Sequence, residues 1–393
     1  MDWRFLFLLI CLFLWGCQSA PTNNDGEASN SSAIDETLEE LPPLEEEYDI
    51  SENKWGYINK GGRLVIRPKF DDARNFSEEK AVVRIAGKWG VVDRNGEYIL
   101  APTFKSIWSY SEGLARVQNF DLQMGFIDDK GTIVIPLQFK DANDFREGLA
   151  KVKTAKGCGF INTKGKMVIP DKFEKAWGVQ HSFAKIMNNK KYGVIDKNGK
   201  LIIPTEYDRI SNFSDGFFLV KQSGKYGFIN QKGQLVIPLK FKSAKDFHHG
   251  FAPVLVGDKW GLIDSEGNFK IAPTYTELEY AGDNLWRVFK DNLFGCIDSN
   301  NEIIIPIDYE ILYNFVDQKA AYQKNEFWGF LDTNGKELTP AQYGLAWDFK
   351  EGLARVAFRE GIGYINDRAQ IIVEPLYRDA RDFSENLARV QLW

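Results

Sequence analysis

The sequence predicts an all-β tandem array, and three observations carry that expectation. A glycine recurs every 34 or 35 residues at ten positions: Gly56, Gly90, Gly125, Gly159, Gly193, Gly227, Gly261, Gly295, Gly329 and Gly363. Each unit also holds a proline or a turn glycine, and its apolar runs are only four to six residues long. No breaker-free window of twelve residues keeps the i, i+3, i+4 spacing of a helix. The chain of 393 residues is 44% apolar and 14% aromatic, ample for a buried core and outside the disordered class.

Phe5 to Trp15 form an apolar run behind Arg4. A bilayer span needs about 20 residues, so this run fits a secretory signal instead. Leu14-Trp15-Gly16-Cys17 resembles a bacterial lipobox, although Trp15 is larger than is usual there. Residues 1–17 are therefore expected to be a lipoprotein signal peptide, with Cys17 as the lipidated residue. Gln18 behind it favours the outer membrane by the same resemblance. Residues 18–53 contain eleven acidic residues and no Lys or Arg, which reads as an extended, solvated acidic tether.

Beyond position 53 there remain 48 basic and 43 acidic residues. A surplus that small and dispersed gives no electrostatic footprint for nucleic acid. Two lone cysteines beyond the N-terminus, Cys158 and Cys296, do not make a disulfide framework and are expected to be free, buried fillers.

Each unit of the array at 54–393 starts with a strand. A mostly aromatic residue precedes the anchor glycine, and Asn or Asp follows three positions later in every unit, from Asn59 to Asn366. A turn glycine stands at +6 in eight units; Asn301 and Ala369 replace it in two. That spacing makes a hairpin, since the Asx side chain can accept downstream backbone N–H groups and glycine supplies a positive φ. The second strand ends near a proline, and Phe or Tyr always stands at +14. A third strand alternates in the period-2 manner, as in Leu114-Ala115-Arg116-Val117. The expected unit is a three-stranded antiparallel meander, with the +14 aromatic or a neighbouring ring lying over the anchor glycine. One meander cannot bury two faces alone, so neighbours must stack.

The pattern Trp-Gly-Φ-Ile-Asp-x-x-Gly, then Ile-Pro, then Phe-Ser-Glu-Gly-Leu-Ala-x-Val, is similar to the WG repeat family, also called KWG repeats. The resemblance implies a β-rich repeat protein of the kind found in bacterial lipoproteins, and no shared enzymatic activity. Ten units exceed the about four to eight blades usual for a propeller. The expected architecture is therefore an open, curved, solenoid-like array, with a closed propeller-like ring as the alternative.

No nucleophile–base set, P-loop or metal-ligand spacing is present around His181, His248 or His249. The paired acids Asp71-Asp72 and Asp128-Asp129 fall at ordinary repeat positions, and the Asp-x-Asn-Gly pieces read as turns rather than calcium loops. Nothing points to catalysis, a cofactor or a metal. The informative position is +18, which varies while its neighbour at +17 stays apolar. In a repeat array such a position builds a binding face. Its members Trp108, Trp177, Tyr313, Trp347, Arg74 and Arg381 are the candidate contact residues. The aromatics are suited to anchoring a protein partner or to stacking on sugar rings. The expected function is a non-enzymatic, envelope-anchored scaffold for a protein partner. The alternative is a module for a glycan such as peptidoglycan or exopolysaccharide, with the membrane reached only through the lipid anchor.

Overall fold

The computed structural model describes residues 53–393; the expected signal peptide, Cys17 and the expected tether up to residue 52 lie outside them. The described residues form forty β-strands in ten four-stranded antiparallel sheets. Blade 1 runs Asp72–Ala73, Ala81–Ile85, Lys88–Val92 and Tyr98–Phe104, hydrogen-bonded in that order. Blades 2 to 9 repeat it at 106–139, 141–173, 175–207, 209–241, 243–275, 277–309, 311–343 and 345–377. The unit is thus four-stranded, not the expected three-stranded meander. The additional strand is a two-residue piece at +16 and +17 in nine blades, too short to show an alternation, and extends to Glu277–Gly282 in blade 7.

Blade 10 decides the architecture. Asp379–Ala380 and Leu387–Gln391, from the end of the chain, pair with Trp55–Asn59 and Leu64–Phe70, from its beginning. The register runs unbroken from Trp55↔Gln391 to Asn59↔Leu387. The array is a closed ten-bladed β-propeller ring, so the expectation of an open solenoid is corrected to its alternative. The physical reason lies in the core. Ten hydrophobic clusters are present among the described residues, and each joins one blade to the next. Tyr57, Ile66 and Phe70 of blade 10 pack on Ala73, Phe76 and Val83 of blade 1. Tyr364, Val373 and Tyr377 of blade 9 pack on Ala380, Phe383 and Val390 of blade 10. Ten blades in an open row would have only nine junctions, leaving an end face of large apolar side chains in water. Each such side chain, once buried, contributes about 1.5–3 kcal/mol.

Local chemistry shapes the blade. In all ten units the +3 Asn or Asp accepts the backbone N–H groups at +5 and +7, as Asp93 Oδ1 does from Asn95 and Glu97, both at 2.9 Å. This Asx turn closes the hairpin between the third and fourth strands. The anchor glycine has a different cause from the one expected. Between Trp89↔Phe104 and Val91↔Leu100, the fourth strand spends four residues where the third spends two. The surplus backbone, carrying Pro102, folds over the glycine. A Cβ on Gly90 would lie 2.6 Å from the Leu100 carbonyl oxygen and 2.8 Å from the Pro102 nitrogen. Main chain, not an aromatic ring, therefore excludes every other residue at Gly90; at Gly329 the expected neighbouring ring is present as well, with Tyr322 Cζ 2.7 Å from the Cβ position. The proline is tolerated because the fourth strand is the edge of its sheet.

Candidate binding face

Equivalent residues of consecutive blades touch at the first strand and the turn that follows it. Ser77, Ser111, Ser214 and Ser384 each donate through Oγ to the carbonyl at +20 of the next unit, at 2.7–2.9 Å. At +22 the carboxylates of Glu78, Glu112, Glu147, Asp215, Glu351 and Glu385 accept backbone N–H groups from the next turn. Ser384 to Phe76 and Glu385 to Glu78 carry both patterns across the chain ends. These contacts place the first strands nearest the axis and leave the fourth strands as the outer rim.

The +18 residues sit directly beyond the first strand, except Glu279, which lies within the longer first strand of blade 7. In five blades the +18 side chain meets the residue that precedes the anchor glycine of its own sheet. Where +18 is basic, that partner is an indole: Arg74 lies over Trp89 at 5.1 Å, Lys245 over Trp260 at 5.2 Å and Arg381 over Trp55 at 5.5 Å. Such pairs are cation–π contacts. Trp177 packs on Tyr192 at 5.4 Å, and Tyr313 on Trp328 at 4.9 Å.

A second variable position, +26 on the second strand, completes the arrangement. It carries Arg116, Lys151, Lys185, Arg287, Arg355 and Arg389 in six units. Arg116 lies 4.0 Å over the Trp108 ring, donates to the Ala142 carbonyl of the next blade, and pairs with Asp144 there at 3.2 Å. Arg355 repeats this with Trp347 at 4.5 Å, the Ala380 carbonyl at 2.7 Å and Asp382 at 2.6 Å. Burial lowers the pKa of Arg116 from its ordinary value; nearby Asp144 and Asp141 oppose the shift.

Of the six candidates, Arg74, Trp108, Trp177, Trp347 and Arg381 are half-buried on this face, and Tyr313 is exposed. They are brought to one face but not into one pocket. A cleft of about 500 Å³ across blades 5 to 7 is lined by three consecutive +18 residues, Ser211, Lys245 and Glu279, with Arg209, Trp260 and Tyr280. Within it Lys245 pairs with Glu279 at 2.8 Å. A second cleft of about 410 Å³ joins Arg287, Tyr313 and Asn314 to Ala346, Trp347 and Asp348. His248 stacks on Tyr280 at 4.5 Å, and burial lowers its pKa. His181 and His249 are exposed and take the +22 place that carboxylates hold elsewhere.

The sequence reading missed the +26 cations, although their recurrence was visible. It also missed an apolar strip on the outer rim, where Leu64, Tyr98, Ile133, Leu201, Leu235, Phe269, Ile303 and Ile371 stand exposed at +8. Trp286, at an unusual place in its unit, is fully buried core.

Among solved structures, the chain is similar to a eukaryotic initiation factor at 12% identity, covering 72% of this chain and 94% of that one with a TM-score of 0.46. It is similar to BamB from Moraxella catarrhalis at 8% identity, covering 83% and 97% with a TM-score of 0.34. A third likeness is the WD40 β-propeller domain of Doa1, at 12% identity, covering 56% and 88% with a TM-score of 0.25. No curated protein matches the chain. The model of the WG containing repeat matches ten times in succession, from 55–89 and 89–119 through to 328–359 and 362–392. With that model covering most of its length, the chain belongs to the WG-containing-repeat family.

Proposed function

We propose that this propeller is a non-enzymatic scaffold that holds a protein partner against its +18 face, tethered to the bacterial envelope through Cys17 and the acidic segment. The observation that carries the reading is the cleft across blades 5 to 7. There a position free to vary, on a frame that is fixed, gathers Ser211, Lys245 and Glu279 into one concavity. Charged and hydrogen-bonding groups in such a place set register and specificity, while half-buried rings supply contact area. The glycan reading has one specific support, the exposed ring of Tyr313. The faces of Trp108 and Trp347 already carry guanidinium groups, which leaves them less able to stack on sugars.

Site-specific photocrosslinking in the native envelope tests the proposal. A photoreactive side chain at Ser211 or Asn314 is expected to give one discrete polypeptide adduct, and one at rim residue Ile303 none. Adducts from Ile303 alone would move the partner to the rim, and adducts only to carbohydrate would replace the protein-partner reading with the glycan one.

A further inference from the structure

The repeat supplies its own template for a ligand. At the junctions of blades 2 and 3 and of blades 9 and 10, a guanidinium at +26 is held by three groups. These are an indole at +18, the +17 carbonyl of the next blade and the +19 carboxylate of that blade. At the junction of blades 8 and 9 all three holders are present: Tyr313 at +18, the Ala346 carbonyl at +17 and Asp348 at +19. The guanidinium is missing, because +26 is Ala321. The second cleft, of about 410 Å³, opens at this place, lined by Tyr313, Ala346 and Asp348.

We propose that this junction is a receptor for a guanidinium group, the arginine side chain of a partner polypeptide, seated where Arg116 and Arg355 sit at their own junctions. Tyr313 is backed by Trp328 at 4.9 Å and remains 42% exposed, so its ring is held in place and accessible. Among the described residues no side chain forms an ion pair with Asp348, whereas Asp144 and Asp382 each have an arginine. Burial accordingly raises the Asp348 carboxyl above the ordinary carboxylate range, with Lys350 and Arg355 opposing the shift and Asp382 adding to it. Two arginines nearby are committed, and Lys350 acts on Asp348 without forming an ion pair to it. Arg287 pairs with Glu279 and donates to the Leu312 carbonyl, and Arg355 pairs with Asp382. An unpaired, partly desolvated carboxylate beside a free carbonyl and an aromatic face is the donor-hungry environment that a planar guanidinium satisfies best.

The receptor names the partner chemistry for the scaffold reading and rests on that reading for its biological role, but its test does not require the partner. N-acetyl-arginine N-methylamide would be titrated into the full chain carrying fluorotryptophan, following the ¹⁹F signals of Trp328 and Trp347. Saturable shifts are expected with the arginine probe, weaker shifts with its lysine counterpart and none with the neutral citrulline counterpart. Asp348→Asn should weaken binding by about tenfold or more. Ala321→Arg should fill the site with its own guanidinium, abolish binding and raise the thermal midpoint. Equal binding of the citrulline probe, no response to arginine, or undiminished binding by Asp348→Asn would overturn the proposal. If Ala321→Arg fails to fold, the Asp348→Asn and citrulline comparisons decide. Arginine binding without a Ser211 or Asn314 crosslink would sink the scaffold reading alone, and the reverse result would sink the receptor alone.

Discussion

Replacing Gly90 by alanine should be among the most damaging single-methyl additions in the molecule. The added Cβ would stand 2.6 Å from the Leu100 carbonyl oxygen, 2.8 Å from the Pro102 nitrogen and 3.0 Å from the Ala101 carbonyl carbon. All three are main chain of one bulged segment, so no side-chain rotation relieves the clash. Trp89↔Phe104 and Val91↔Leu100 pin that segment on both sides. Overpacking against fixed atoms places the loss at the upper end of the usual range, about 3 kcal/mol. Gly113 is the control. It has a φ of +78° but nothing within 4 Å of an added Cβ, so alanine there meets only left-handed strain, about 1 kcal/mol. With a urea m-value of about 3 kcal/mol/M, the denaturation midpoints should fall by about 1 M and about 0.3 M respectively. Tryptophan fluorescence reads both. Equal losses, or a larger loss for Gly113→Ala, would show that backbone crowding is not what the anchor glycine answers.

Three further outcomes follow from the junctions and the core. Arg355→Ala should destabilise the ring by about 2–3 kcal/mol, because it removes charge-assisted bonds to Asp382 and the Ala380 carbonyl and leaves both without that partner; thermal melts check this. At Glu351, burial raises the pKa, but the Asn386 and Glu385 N–H groups and Lys60 outweigh it, so the net shift is downward. Its contribution is therefore present above the unfolded carboxylate pKa and lost as pH falls through the folded one. Glu351→Gln should lower the midpoint at pH 7 and converge with the wild type in acid. Burial pushes the Cys296 thiol up to about 12, so iodoacetamide at pH 8 should spare it in the folded ring and label it after denaturation, as peptide mass mapping would show.

Much of the blade was legible in the sequence because its devices are local. The Asx side chain acts within four residues of itself, and the turn glycine sits in the same hairpin, so both could be read from spacing. The first strand could not be read, because Asp72–Ala73 and eight of its equivalents are too short to alternate, and the longer Glu277–Gly282 stands alone in the array. Nor could closure: the pattern of a unit is the same in an open row and in a ring, and only the pairing of Trp55–Asn59 with Leu387–Gln391 separates them. At the candidate face, the variability of +18 was visible from the sequence. What those residues touch was not. Trp108 and Arg116, or Tyr313 and Trp328, stand apart in sequence and meet only because the sheet register brings the strand beside the residue that follows the first strand. The exclusion of Cβ from the anchor glycine likewise depends on a bulge that spacing does not reveal.

Ring closure is the claim on which the shared face depends, and a cysteine pair at the seam tests it most directly. Trp55 and Gln391 face each other as Cα partners, and directly opposed residues in an antiparallel ladder lie within disulfide reach. Trp55→Cys combined with Gln391→Cys, oxidised at low protein concentration, should yield a monomer whose digest contains the 55–391 linked peptide. The native Cys158 and Cys296 should remain free. Formation of that link within the monomer is what a closed ten-bladed ring predicts; its absence, or links found only between molecules, would contradict closure and return the array to an open form.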